Sequence, residues 1–321
     1  MHEFEPIGTI SLYFPFMDLV TREILEDIIG KAKNYNEFVH LLSEKACSEQ
    51  TTDLTAFFAI HHASNIFDTD CLEELADRFG RIPIAKPNLY MISALQGKHE
   101  DLQKAIDATE TVIQSNPSEW LELEMLVIRL EAEMLGYPKF TSYDSTMDRI
   151  ESFLDAEEDY DFYRSRIYDA LALKTYRDGD IEETRNLTRN AISNAEKHNE
   201  LYKLSRLYRS LAVYTQAENM IHSKEFLEKS LKLLEFMGDK EGLGYTLYQI
   251  GKIQAIRGEY DQAIENTLNV TRIFQNIGKS TEVFTITLST LYNMIGEAQA
   301  GLEWAKMQKP NPKTFINHAQ F

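Results

Sequence analysis

The sequence predicts an all-α chain built as a solenoid of about eight antiparallel helix pairs. Three observations carry this. One stretch recurs: Ser165-Arg-Ile-Tyr-Asp-Ala-Leu-Ala172 returns 40 residues later as Ser205-Arg-Leu-Tyr-Arg-Ser-Leu-Ala212, and a looser copy, Gly244-Tyr-Thr-Leu-Tyr-Gln-Ile-Gly251, follows. Self-similarity at a fixed period constrains the architecture more strongly than local propensity does. Apolar residues recur at spacings of three and four, the period of a helix with one buried face. The 14 Gly and 8 Pro are few for 321 residues, and they cluster between the helical stretches.

In chain order, residues 1–16 alternate apolar and polar and end Leu12-Tyr-Phe-Pro-Phe16. Pro6 and Pro15 exclude a helix, so this segment reads as an extended arm. From Asp18 the pattern turns helical through Leu19, Ile24, Leu25, Ile28 and Ile29, and Asn34-Tyr-Asn36 breaks it. Phe38, Val39, Leu41, Leu42 and Ala46 mark the next helix, and 52–67 with 70–80 a further pair, capped by Thr52 or Asp53 and by Asp70. Residues 17–85 therefore form a divergent helical cap, closed by the Pro-bearing stretch Gly80 to Pro87. The repeats occupy 86–308. Gly136-Tyr-Pro-Lys-Phe-Thr-Ser is the longest loop inside them, and the acidic run Asp155–Asp161 reads as a solvated turn between helices. The last helix should end near Met307, leaving a polar tail at 309–321.

The copies share a finer pattern. In the third, Ile250-Gly251 is followed by Gly258-Glu-Tyr260 and Ala263; the same apolar-small pair is Leu211-Ala212 and Leu171-Ala172, with Gly179 at the matching turn and Thr184 and Ala191 in the later small slots. Small residues let two helices cross closely, and Gly at the turn takes a positive φ. Ile92-Ser93 with Ala105 and Pro117, Leu126-Val127, and Leu288-Ser289 with Gly296 extend the register both ways. The chain resembles the tetratricopeptide repeat family, in a long variant of roughly 40 residues per unit. It departs from the family pattern at Asn219, which replaces a turn Gly, at Phe226 in an Ala slot, and at Gln254, where an aromatic is usual. The resemblance implies a right-handed α-α superhelix whose first helices line a concave face.

Composition narrows the function. Net charge is −18, unevenly spread: residues 1–160 hold 31 acids against 12 Lys and Arg, and residues 161–321 hold 20 against 21. Nucleic-acid binding needs a basic footprint, which is missing. No apolar run approaches the roughly 20 residues of a membrane span, and the first 16 residues lack the basic start of a secretory leader. The two cysteines, Cys47 and Cys71, read as reduced and buried in a cytoplasmic protein. The glycosylation-like Asn186-Leu-Thr and Asn269-Val-Thr fall within helices of such a chain and carry no weight. There is no phosphate-binding Gly loop, no metalloprotease motif, no Cys-x-x-Cys and no nucleophile elbow. His61-His62 point about 100° apart on a helix, so they do not share a metal. We expect no enzyme, no cofactor and no metal.

The resemblance also implies which side chains face inward: Arg166, Asp169, Tyr176 and Arg177; then Arg206, Arg209, Gln216 and Ala217; then Tyr245, Tyr248, Lys252 and Ile256; and finally Val283, Ile286 and Asn293. Glu124 and Glu131 hold the corresponding slots of an earlier unit, so the face changes sign along the chain. Arg presents a fork of donors to carboxylate or phosphate, and Tyr adds rigid contact area. The expectation is a scaffold that binds another protein or peptide bearing an acidic or carboxylate segment. The candidate contacts are Arg166, Tyr176, Arg177, Arg206, Arg209, Gln216, Tyr245, Tyr248 and Lys252. Two alternatives stand beside it: a peptide-sensing regulator whose superhelix shifts on binding, and a self-assembling protein in which one chain's acidic half docks on another's basic face, giving a homodimer.

Overall fold

The computed structural model describes residues 19–33, 35–47, 55–56, 58–60, 85–95, 98–115, 117–136, 139, 143–156, 158–198 and 200–307. The expected arm at 1–16, most of the pair at 52–80, the polar tail, and His61, His62 and Cys71 lie outside them. Every element among the described residues is a helix, and the fold is of the all-α helical-repeat class. The helices are α1 (Leu19–Lys31), α2 (Tyr35–Ala46), α3 (Ala85–Leu95), α4 (Asp101–Gln114), α5 (Glu119–Gly136), α6 (Tyr143–Ala156), α7 (Arg164–Asp178), α8 (Ile181–Lys197), α9 (Leu201–Thr215), α10 (Met220–Met237), α11 (Lys240–Ile256), α12 (Tyr260–Asn276), α13 (Glu282–Met294) and α14 (Ala298–Lys306). None of them is long and apolar enough to cross a membrane.

The chain divides into two compact units, residues 1–214 with 236–238, and residues 215–235 with 239–321. Within the first, neighbours in sequence pack on one another: α1 on α2, α3 on α4, α4 on α5, α5 on α6, and α7 on α8. Helix α5 also packs on α7, so successive pairs stack. Its core joins Leu123, Leu126, Val127, Leu130 and Met134 of α5 to Ile150 of α6 and Ile167 and Ala170 of α7. Within the second unit, α11 packs on α12, α12 on α13 and α13 on α14. Ala263, Ile264, Leu288 and Leu291 form one cluster there, with Trp304 against it; Val270, Phe274 and Phe284 form another.

Local chemistry sets the helix ends where the repeat pattern places them. Gly179 closes α7 with φ 85°, and Gly258 follows α11 with φ 78°, a region that side chains resist. The Asp180 carboxylate accepts from the Glu183 amide at 3.0 Å to start α8, and Asp239 accepts from the Gly242 amide at 2.9 Å to start α11. Asn219, the departure from a turn Gly, caps α10 instead: its side-chain oxygen accepts from the amides of Ile221 and His222, each at 3.1 Å. The small slots mark close crossings. Ala263 is fully buried, and a Cβ at Gly251 would lie 3.6 Å from its carbonyl oxygen.

The acidic run at 155–161 extends from the end of α6 toward α7, and Asp155 is exposed. It leads into a 3-10 helix, Glu158–Tyr163, in which Tyr160 and Tyr163 are buried in the α5–α7 core. Two aromatic anchors thus hold the 3-10 helix against this core.

Candidate functional site

In the first unit the inward slots of α5, α7 and α9 meet as a ladder of charges. Arg166 on α7 grips two carboxylates of α5. Its Nη1 donates to both oxygens of Glu124 at 2.8 and 3.0 Å, while Nε and Nη2 donate to Glu131 at 2.9 and 2.8 Å. The side chain of Arg166 is 11% exposed and that of Glu124 only 2%. The guanidinium also lies 6.0 Å from the ring centre of Tyr163. Burial pulls the Glu131 carboxyl upward, but the charge and hydrogen bonds of Arg166, with Lys203 and Arg206 beyond, hold it down at about 2. One step along, Asp169 of α7 takes Lys203 of α9 at 2.6 Å and Arg206 at 3.5 Å. Three carboxylates and three cations thus face one another across α5, α7 and α9 and cancel.

The remaining inward residues of this unit are tied in different ways. Arg177 donates from Nη1 to the carbonyls of Met134 and Leu135 at 2.6 and 2.8 Å, satisfying two acceptors at the open end of α5. Tyr176 stays exposed but lies against Tyr214, ring centres 4.8 Å apart. Burial, with Asp169 and Tyr176 adding, pushes the Tyr214 hydroxyl well up, so it stays protonated. Arg206 keeps 36% of its side chain exposed, and Arg209 is half-buried.

The second unit presents a different surface. Tyr245, Tyr248, Lys252 and Ile256 follow one another at three, four and four residues and so share a stripe of α11. Tyr245 meets Phe274 edge-on at 5.0 Å and remains exposed. Tyr248 packs edge-on to Phe284 at 5.2 Å, and its hydroxyl shares a 2.9 Å hydrogen bond with the Thr287 hydroxyl, which joins α11 to α13. The Lys252 ammonium sits 5.9 Å over the Tyr248 ring, and no described carboxylate pairs with it. Ile256 is 61% exposed, and Ile286 of α13 is exposed as well. Val283 and Gln216 are half-buried, and Ala217 and Asn293 are exposed. Gln254, in the place of an aromatic, is buried with both amide atoms used, to Gln262 at 3.1 Å and from Asn266 at 2.7 Å.

Sequence reasoning named Arg166, Arg206, Glu124 and Glu131 without pairing them, and it did not name Lys203. The signal was present in their separations: 42 and 35 residues for the Arg166 pairs and 34 for Asp169 with Lys203, each about one repeat. Among the described residues no cluster of three His, Cys, Asp or Glu could hold a metal ion.

No protein-family model matches the chain, and no curated protein matches its sequence. Its fold is similar to that of a solved repeat-bearing structure. A signal-transduction ATPase with numerous domains (STAND) carrying a tetratricopeptide repeat sensor, from Pyrococcus horikoshii, superposes with a TM-score of 0.51 at 16% identity, over 90% of this chain and 40% of its own. The chain thus spans under half the length of that protein. BtubC (BKLC) from P. vanneervenii covers 78% of this chain and 92% of its own at 15% identity, with a looser TM-score of 0.42.

Proposed function

We propose that this chain is a protein- or peptide-binding scaffold of the tetratricopeptide kind, and that its contact surface is the α11 stripe of Tyr245, Tyr248, Lys252 and Ile256 with Ile286 beside it. One observation carries the reading. On this stripe, aromatic and aliphatic side chains stay open to solvent around a cation that no described carboxylate neutralises. The inward cations Arg166 and Arg177 are already committed within the fold, so they hold the scaffold together; Arg206, Arg209 and Gln216 remain further candidate contacts. A segment with a carboxylate set among apolar residues suits such a stripe: the carboxylate meets Lys252, and its neighbours cover Tyr245 and Ile256. No catalytic step is part of this reading.

Panning a random peptide display library against the whole chain tests it. Enriched peptides should carry an acid flanked by apolar residues. Lys252→Glu and Ile256→Asp should each weaken the best peptide by about tenfold or more. Unchanged affinity in both variants would overturn the assignment.

A second reading, a ligand-sensing regulator, draws support from the Pyrococcus structure, whose repeat region is a sensor. Hydrogen exchange separates the two. A scaffold gains protection only where the peptide lies, on α11 and α13. A sensor also changes exchange in helices that the peptide does not touch.

A further inference from the structure

We propose that the partner segment on the α11 stripe is an amphipathic α-helix, with one Asp or Glu opposite Lys252 and aliphatic residues on either side of it. This rests on the reading of that stripe as the contact surface. The polar groups around the stripe separate a helix from an extended segment. Tyr248 ties α11 to α13: its ring packs on Phe284, and its hydroxyl bonds the Thr287 hydroxyl at 2.9 Å. Thr287 in turn donates to the Val283 carbonyl at 2.9 Å, so Tyr248 is the donor to Thr287. Thr290, exposed on α13, donates to the Ile286 carbonyl at 3.1 Å. These three hydroxyls have already given their protons, and main-chain groups inside a helix are paired along it. Gln249 differs. It stands four residues after Tyr245 and three before Lys252, so it shares the stripe. It is half-buried, and its amide bonds no described residue.

An extended segment would bring unpaired main-chain donors and acceptors to this surface. Tyr245 and Ile256 lie about 16 Å apart along α11 at 1.5 Å per residue, a length that an extended chain covers with about five residues. The Gln249 amide suits one of those residues. The other main-chain groups turned toward the helices would lose water and gain no partner. A helix arrives with its main chain already paired and needs only side-chain contact. Its apolar positions recur at three and four residues, the period at which Tyr245, Tyr248, Lys252 and Ile256 stand, so the two stripes seat ridge against groove. Charge then sets the register. The Lys252 ammonium lies 5.9 Å over the Tyr248 ring with no described carboxylate paired to it, and an acid on the incoming helix completes that pair beside an aromatic face.

The test uses a peptide selected against the whole chain whose binding is weakened by Lys252→Glu and by Ile256→Asp. It is made in three forms: linear, with a lactam bridging one helical turn on the side away from its apolar residues, and with Pro at a central position on that same side. The lactam should tighten binding several-fold, and Pro should weaken it by about tenfold or more. The far-ultraviolet circular dichroism of the linear peptide mixed with the chain should show more helix than the sum of the two alone. Exchanging the peptide's acid for Lys should weaken binding to the wild type and restore binding to the Lys252→Glu variant. A peptide that needs Lys252 and Ile256, yet accepts Pro and loses affinity with the lactam, would overturn the helix and leave the stripe standing. Failure to select any peptide that needs both residues would sink the stripe, and the helix with it.

Discussion

The Arg166 clamp makes the sharpest prediction. Arg166→Met keeps most of the side-chain volume and removes the cation, together with four charge-assisted hydrogen bonds of 2.8–3.0 Å. Glu124, almost wholly buried, is then left with no cation, and Glu131 loses its main one. Breaking one side of a buried ion pair costs about 3–5 kcal/mol, and the lower end applies here because Glu131 keeps some exposure and Lys203 lies nearby. The direction with pH is equally specific. In the wild type the Glu131 carboxyl sits near 2, below its ordinary 4.5. A depressed carboxyl stabilises the fold fully above the ordinary value and loses that contribution as pH falls from 4.5 toward 2; the shift corresponds to on the order of 3 kcal/mol. Without Arg166, burial dominates and raises the same carboxyl, so the folded variant takes up a proton more readily than the unfolded chain. Acidifying from neutrality to about pH 5 should therefore stabilise the variant while leaving the wild type unimproved.

The assay is urea unfolding followed by tryptophan fluorescence. The sequence holds two tryptophans, Trp120 and Trp304. Trp120 packs against the α5–α7 core that the clamp ties together, so a Trp304→Phe background makes the signal report on that unit. A loss below about 1 kcal/mol, the value of a surface ion pair, combined with a pH slope equal to that of the wild type, would refute the clamp.

The remaining predictions concern crossings and turns. Gly244→Ala puts a methyl 2.5 Å from Cε2 of Phe274, whose ring is wedged against Phe284, so thermal unfolding of the second unit should come earlier despite the better helix propensity of Ala. Ala263→Arg places a charge at a fully buried crossing and should unfold the α11–α12 pair outright; a retained melting transition would sink the repeat register. Arg177→Ala strips two carbonyls at the end of α5 of their donor and should cost about 1–2 kcal/mol, read as a lower urea midpoint, whereas Arg177→Lys should recover part of it.

What the sequence showed and what it hid divide along a physical line. Small residues at Ala172, Ala212 and Gly251, and glycines at 179 and 258, are forced by constraints local to one pair: two backbones must approach, or φ must turn positive. Those constraints leave the same mark in most copies, with Asn219 the exception at a turn, so the register and most helix ends could be read directly. The burial of Tyr160 and Tyr163 in the 3-10 helix could not, because the acids around them speak for solvent, and only packing shows which side chains reach the core. The charges on α5, α7 and α9 were hidden for another reason. The repeat pattern assigns each residue a slot within its own pair, but an inward slot also touches the same slot of the next pair. Glu124 and Glu131 followed by Arg166 therefore looked like a surface that changes sign, when the two signs are in contact.

A stricter rule follows for such arrays. An inward cation is available to a ligand only where neither neighbouring pair sets an acid at the same height. Arg166 fails that test against α5. Lys203 and Arg206 share Asp169 of α7, which leaves Arg206 only partly engaged. Lys252 lies over the face of Tyr248, whose hydroxyl bonds Thr287 of α13, and no described carboxylate pairs with it. The acidic excess of residues 1–160 is thus partly used up inside the chain, where the charge changes sign. On the proposed α11 surface, Lys252 is framed by aromatic and aliphatic side chains, so under that proposal recognition would rest on apolar contact, with the carboxylate fixing register.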